Sequence, residues 1–353
     1  MHHPSSSAPL NTHLAPLDED PDDVVEELGT PTSYGPEYTP LSADDSFSQA
    51  LEVDVRGLSV RAYYTPSSDQ ESPTIVVAHH GAGFGGLSFA CLAKDIAERT
   101  HGKLGFLAYD ARGHGYTKDN STTEEEDHDV DYSLETLAED LVVLLKELFP
   151  ENPPQFLLLG HSMGGAVVTQ ACPDIQSRVG KVLGACLLDI VEGTAMEALP
   201  NMMTIINARP TTFNSLQDAI GWHVHSGTVR SATSARISVP SLVKKVQDEP
   251  EKYMWRTNLH RTEKYWKGWY SSLSSKFLAL RAAKLLVLAG TDRLDKSLMI
   301  GQMQGKYQLV VLQEVGHSIH EDAPGRLGET VVEFWKRNDQ TDILKNVKKV
   351  GQK

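Results

Sequence analysis

The sequence predicts an α/β fold: a mostly parallel central sheet, helices on both of its faces, and a helical insertion. Three observations carry this. Short apolar runs alternate with amphipathic helical segments from about residue 51 onward. Most of these runs lack the every-other-residue polarity of a half-exposed strand, so they read as strands covered on both faces. One of them, Phe156–Leu159, leads through Gly160-His161-Ser162-Met163-Gly164 into a small apolar stretch, which reads as a strand, a sharp turn and a helix.

In chain order, Leu51–Val55 and Leu58–Tyr64 read as an opening antiparallel pair. Thr74–His79 is a buried strand followed by a glycine-rich loop, Ser88–Arg99 a helix, and Gly105–Tyr109 a strand that stops at Asp110. Leu134–Leu148 repeats apolar residues three and four apart, the helical period. After Phe156–Leu159 and its helix, Val182–Val191, Lys284–Ala289 and Gln308–Gln313 supply three more strands, and Gly325–Lys336 is a closing helix. Residues 195–275 interrupt the alternation with helix-like stretches and no predicted strand. An insertion between two core strands at the edge that carries the loops is expected to form a cap. Tyr265, Trp269, Leu273 and Phe277 fall four apart, so they are expected to form one helix face packed on the core.

Composition bounds the partners. The chain has 353 residues and a net charge of −14, and its first fifty residues hold ten Asp or Glu and no Lys or Arg. The remainder is only mildly acidic, which gives no case for nucleic acid or an anionic membrane. Residues 1–45 are too polar to offset their chain entropy and read as a disordered acidic tail, with Tyr34 to Pro40 as its stickiest stretch. Residues 46–340 form the expected domain, and 341–353 a flexible basic end. Glu124–Asp131 is an acidic run expected on a surface loop. Cys91, Cys172 and Cys186 lack paired spacing and read as buried thiols of a reducing compartment. With no secretory signal and no apolar run of membrane-spanning length, the expected location is cytoplasmic or nuclear.

Ser162 is the candidate nucleophile. In G-x-S-x-G the turn is so tight that a side chain at Gly160 or Gly164 is expected to collide across it. A serine hydroxyl needs a positioned base, and His317, on the loop after the last strand, is the best placed of the 14 histidines. His161 is expected to support or line the site, and His320 to be a structural neighbour. The third member is a carboxylate that fixes the imidazole tautomer. Asp189 and Asp292 both end parallel strands, and position alone favours Asp292; Asp295 and Glu192 compete more weakly. The oxyanion hole is expected from the amides of Met163 and Ala82, the latter in His80-Gly81-Ala82-Gly83. Asp110-Ala111-Arg112-Gly113-His114-Gly115 reads as a structural turn. There is no metal-binding or phosphate-loop pattern, so no cofactor is expected.

Several segments together carry a family resemblance: FLLLGHSMGGA, LLDIVEGTAMEAL, INARP, EKYWKGWY and AGTDRLDKSLMIGQMQGKYQLVVLQEVGHSIHEDAP. GHSMGG alone indicates the α/β-hydrolase fold. In order and spacing, from about residue 45 to 340, the whole set resembles the protein phosphatase methylesterase family. That resemblance implies a serine carboxylesterase that demethylates the C-terminal leucine of the type 2A protein phosphatase catalytic subunit. It also implies that the acid is Asp189 rather than Asp292, giving Ser162, Asp189 and His317 as the triad. The acidic tail and the basic C-terminal end have no aligned counterpart.

Overall fold

The structure, a computed structural model, describes residues 34–120, 130–290 and 294–339. Most of the acidic tail, most of the 124–131 run, Asp292 and the 341–353 end lie outside these residues.

Two antiparallel strands open the sheet, β1 (Gln49–Val55) and β2 (Leu58–Thr65), with Val55 paired to Leu58 across the Arg56-Gly57 turn. They are followed by β3 (Thr74–His79), helix α1 (Ala90–Thr100), β4 (Leu104–Tyr109) and the short β5 (Lys118–Asp119). Next come α2 (Leu134–Leu148), β6 (Gln155–His161), α3 (Met163–Arg178) and β7 (Val182–Leu188). The insertion contributes α4 (Glu192–Asn207), β8 (Thr212–Phe213), α5 (Leu216–His225), α6 (Ala232–Ser238), β9 (Val243–Lys245), β10 (Tyr253–Trp255), α7 (Glu263–Tyr270) and α8 (Leu273–Ala279). The chain then returns through β11 (Ala283–Ala289), α9 (Lys296–Met303), β12 (Gln308–Leu312), α10 (Ile319–Asp322) and α11 (Pro324–Asn338).

The main sheet has the order β1-β2-β4-β3-β6-β7-β11-β12, with β5 paired to β2. It is parallel from β4 to β12 and antiparallel at the β1-β2-β4 end. Alternation along each strand feeds two cores. Ile75, Val77, Phe156 and Leu158 face a cluster with α2, α3 and α8. Val76, Ala78, Leu157 and Leu159 face one with α1 and α11. Covering both faces is why these strands read as unbroken apolar runs. α2 shows the helical counterpart: Ser133 caps it by accepting from the Thr136 amide, and Leu134, Leu137, Leu141 and Leu145 are buried along one side.

The insertion differs from the expected all-helical reading. β8, β10 and β9 form a small antiparallel sheet around a separate apolar cluster of Phe213, Ile220 and Val243. The predicted aromatic helix face is also split. α7 ends at Tyr270 and α8 begins at Leu273, because Ser272 sits at φ 64° in the left-handed region. Both parts still face inward, with Trp269, Leu273 and Phe277 buried and the Trp269 indole donating to the Tyr132 carbonyl at 2.7 Å.

The described end of the acidic segment packs on the molecule. The Tyr34 amide donates to Asp218 at the start of α5, and the Tyr34 ring meets those of Tyr38 and His225. Arg236 and Leu41 exchange backbone-directed bonds with this strap. The solvated reading of residues 1–45 therefore does not hold for Tyr34 onward, where aromatic burial and hydrogen bonds offset the ordering cost. No helix among the described residues is long and apolar enough to cross a membrane.

Candidate active site

β6 runs into α3 through Ser162, which stands at φ 50° and ψ −119°. Few non-glycine residues tolerate this backbone, and holding one there costs on the order of 1–3 kcal/mol. The glycines explain how the turn closes. A Cβ on Gly160 would lie 2.3 Å from the Gly164 oxygen, and one on Gly164 would lie 2.1 Å from the His79 oxygen. The Ser162 amide donates to Leu188 on the neighbouring β7, which ties the turn to the strand that ends at Asp189.

Asp189 is itself in the left-handed region, at φ 51°, and this ends β7 three residues earlier than predicted. Its amide donates to Val287, and one carboxylate oxygen accepts from the Ala289 amide at 2.7 Å. The other oxygen accepts from His317 Nδ1 at 2.7 Å. With Nδ1 bearing the proton, Nε2 of His317 is the free, basic nitrogen. The Asp189 side chain is 8% exposed and that of His317 is 53% exposed, so the imidazole is presented to solvent from a buried anchor.

His161 holds the His317 loop. Its Nε2 donates to the His317 carbonyl at 3.0 Å, and the two rings lie 4.7 Å apart. Burial holds His161 well below the usual histidine range, so it stays neutral. His320 is fully buried, stacked on Phe89 at 4.4 Å, and burial lowers it to about 3. Asp295 and Glu192 have structural work: Asp295 caps α9, and Glu192 accepts from the Ser272 and Ser274 amides at the start of α8.

The loop after β3 lies against the nucleophile, since a Cβ on Gly81 would fall 3.3 Å from that of Ser162. The Gly83 amide is taken by His114 Nε2 and the Phe84 amide by the Gly81 carbonyl, which leaves the Ala82 amide uncommitted among the described bonds. Met163 occupies the first turn of α3, where an amide has no helical acceptor. Neutral histidines shape the loop. His80 Nδ1 donates to Gly81 while its Nε2 accepts from Ala111, and burial lowers His114 to about 4. The turn at Asp110 is structural: its carboxylate accepts from Gly86, Tyr116 and Tyr63, and Arg112 forms a two-point ion pair with Asp140 on α2.

The sequence reading missed Tyr270. This buried phenol at the end of α7 lies against the Ser162 side chain, and burial drives it up to about 12. No motif announces it, because it lies in the insertion more than a hundred residues from Ser162.

The parallel sheet with a strained serine at the end of its central strand defines a hydrolase class. A model of the alpha/beta hydrolase family matches residues 75–330. Solved structures agree on the fold: E-2-(acetamidomethylene)succinate hydrolase superposes with a TM-score of 0.64 at 18% identity, covering 82% of this chain and 99% of that one. The thioesterase domain from the curacin biosynthetic pathway gives 0.59 at 18% identity, covering 80% and 99%. Within that class the chain belongs to the protein phosphatase methylesterase family, a group of carboxylic ester hydrolases. It is 39% identical to protein phosphatase methylesterase 1 of Cryptococcus neoformans var. neoformans over 97% of this chain and 91% of that protein. It is 46% identical to the Aspergillus oryzae protein of the same name, over 86% of this chain and 73% of that one.

Proposed function

We propose that the chain demethylates the C-terminal leucine methyl ester of the type 2A protein phosphatase catalytic subunit, with Ser162, His317 and Asp189 as its triad. The observation that carries this is the bond from His317 Nδ1 to Asp189, beside an elbow serine on a chain of this family. His317 Nε2 takes the Ser162 proton as the hydroxyl attacks the ester carbonyl. The Met163 and Ala82 amides hold the oxyanion. The imidazolium, steadied by Asp189, gives its proton to departing methanol. Water activated by His317 then hydrolyses the acyl-enzyme and frees the carboxylate.

Residues 195–275 act as the cap and supply much of the docking surface for the folded phosphatase. Tyr270 lies against Ser162 and competes with His317 for its hydroxyl, and docking completes the triad by releasing it toward His317. The three cysteines are free, in keeping with a reducing compartment, cytosol or nucleus. The test is substrate preference. The methylated catalytic subunit should be turned over with a far higher kcat/KM than a soluble aryl ester. Equal values would favour a general small-ester hydrolase of the same fold.

A further inference from the structure

Arg209 lies in the turn after α4, with its guanidinium carbon 3.6 Å over the centre of the Trp255 ring and 5.9 Å from that of Trp222. The Trp255 indole donates to the Pro210 carbonyl at 2.7 Å, so the ring under the cation is tied to the same turn. Among the described residues the Arg209 amide donates to the Ile206 carbonyl, while its guanidinium makes no hydrogen bond and no ion pair. Burial alone lowers it, to about 10, so it remains a cation at neutral pH. A half-buried guanidinium has lost hydration, and stacking on an indole returns only part of that loss. Its fork of N–H donors is left unfilled.

Its position gives these donors a direction. A Cβ on Gly83 would fall 3.6 Å from Arg209 Nη1, while one on Gly81 would fall 3.3 Å from the Ser162 Cβ. The cation and the nucleophile therefore address the same loop, two residues and no more than about 7 Å apart along it. The scissile ester is neutral, so an anion that meets Arg209 must come from elsewhere on the substrate. A peptide seated with its terminal ester at Ser162, and running along the Gly81–Gly83 loop, would bring its preceding residues past Arg209.

We infer that Arg209, stacked on Trp255 beside the Gly81–Gly83 loop, receives a carboxylate side chain carried by the substrate a few residues before its esterified end. This rests on the esterase reading and specifies its substrate class: an acidic C-terminal peptide ester.

The test uses two peptide methyl esters that differ only by Asp against Asn near a terminal leucine. Wild type should favour the Asp ester by about tenfold or more in kcat/KM, carried by KM. Arg209→Gln should bring that ratio near one, and Arg209→Glu should shift preference to a Lys-bearing ester. A ratio near one in wild type, or one retained in Arg209→Gln, overturns the inference. A purely structural role would lower both esters together without moving the ratio. The free acid of the Asn peptide checks the product carboxylate as the anion: an inhibition constant unmoved by Arg209→Gln supports the side-chain assignment, and a tenfold rise overturns it. Fluorescence anisotropy of labelled peptides on Ser162→Ala separates the two readings. If no ester is hydrolysed, the esterase reading fails, yet an Asp-over-Asn binding difference that Arg209→Gln abolishes still supports the subsite. Equal binding sinks it.

Discussion

Backbone strain at Ser162 and a buried anchor at Asp189 place the two chemical demands of the proposed reaction on different residues. The strained turn exposes a hydroxyl, and the carboxylate fixes which imidazole nitrogen is free. Asp189→Asn preserves shape but offers the imidazole an amide, so kcat should fall by roughly 10⁴-fold with little change in melting temperature. Tyr270→Phe removes the competing phenol. Small-ester turnover in the free protein should then rise by about fivefold, the worth of one hydrogen bond, and a tenfold fall would instead put the phenol in the catalytic machinery. At this scale the sequence was partly legible. Ser162 and His317 follow from motif and chain order, because the elbow imposes local spacing. Both Asp189 and Asp292 follow strands and position alone favours Asp292, because chain position does not register which carboxylate faces the imidazole. Asp292 lies outside the described residues. Tyr270 left no local trace.

Elements were legible where burial on both faces writes a continuous apolar run, as in β3, β6 and β11. β9 and β10 have three residues each, too few for any period to show, and they exist because they pair with each other. The break between α7 and α8 depends on one positive φ at Ser272, which serine does not signal. α10 carries an element-scale prediction. Glu321 is fully buried, bonded by the Ser238 hydroxyl of α6, with its second carboxylate oxygen unpartnered. Burial raises it to about 8. The folded protein therefore holds this proton between its unfolded value near 4.5 and about 8, where the unfolded chain has lost it. Stability from this group is full below that window and is lost as pH rises through it. Glu321→Gln should flatten the fall in melting temperature between pH 5 and 8 and gain several degrees over wild type at pH 8.5. Parallel curves for the two proteins would contradict the assignment.

On the scale of the whole molecule, a rigid two-faced sheet presents Ser162, Asp189 and His317 at the carboxyl ends of β6, β7 and β12, and the insertion supplies Tyr270 and Arg209. In the proposed mechanism chemistry sits on the scaffold, and its control and selectivity on the insertion. That division predicts that adding unmethylated catalytic subunit should raise small-ester turnover if docking releases Ser162 from Tyr270; equal turnover with and without it would count against that step. The most direct measurement is the loss of the methyl group from the carboxymethylated catalytic subunit, followed by mass spectrometry. Wild type and three variants, Ser162→Ala, Asp189→Asn and Asp292→Asn, should be compared. Rapid loss with wild type and Asp292→Asn, and collapse with Ser162→Ala and Asp189→Asn, is the predicted result. A wild-type protein that leaves this ester intact while cleaving small aryl esters would contradict the substrate, and an Asp189→Asn variant of full activity would contradict the triad.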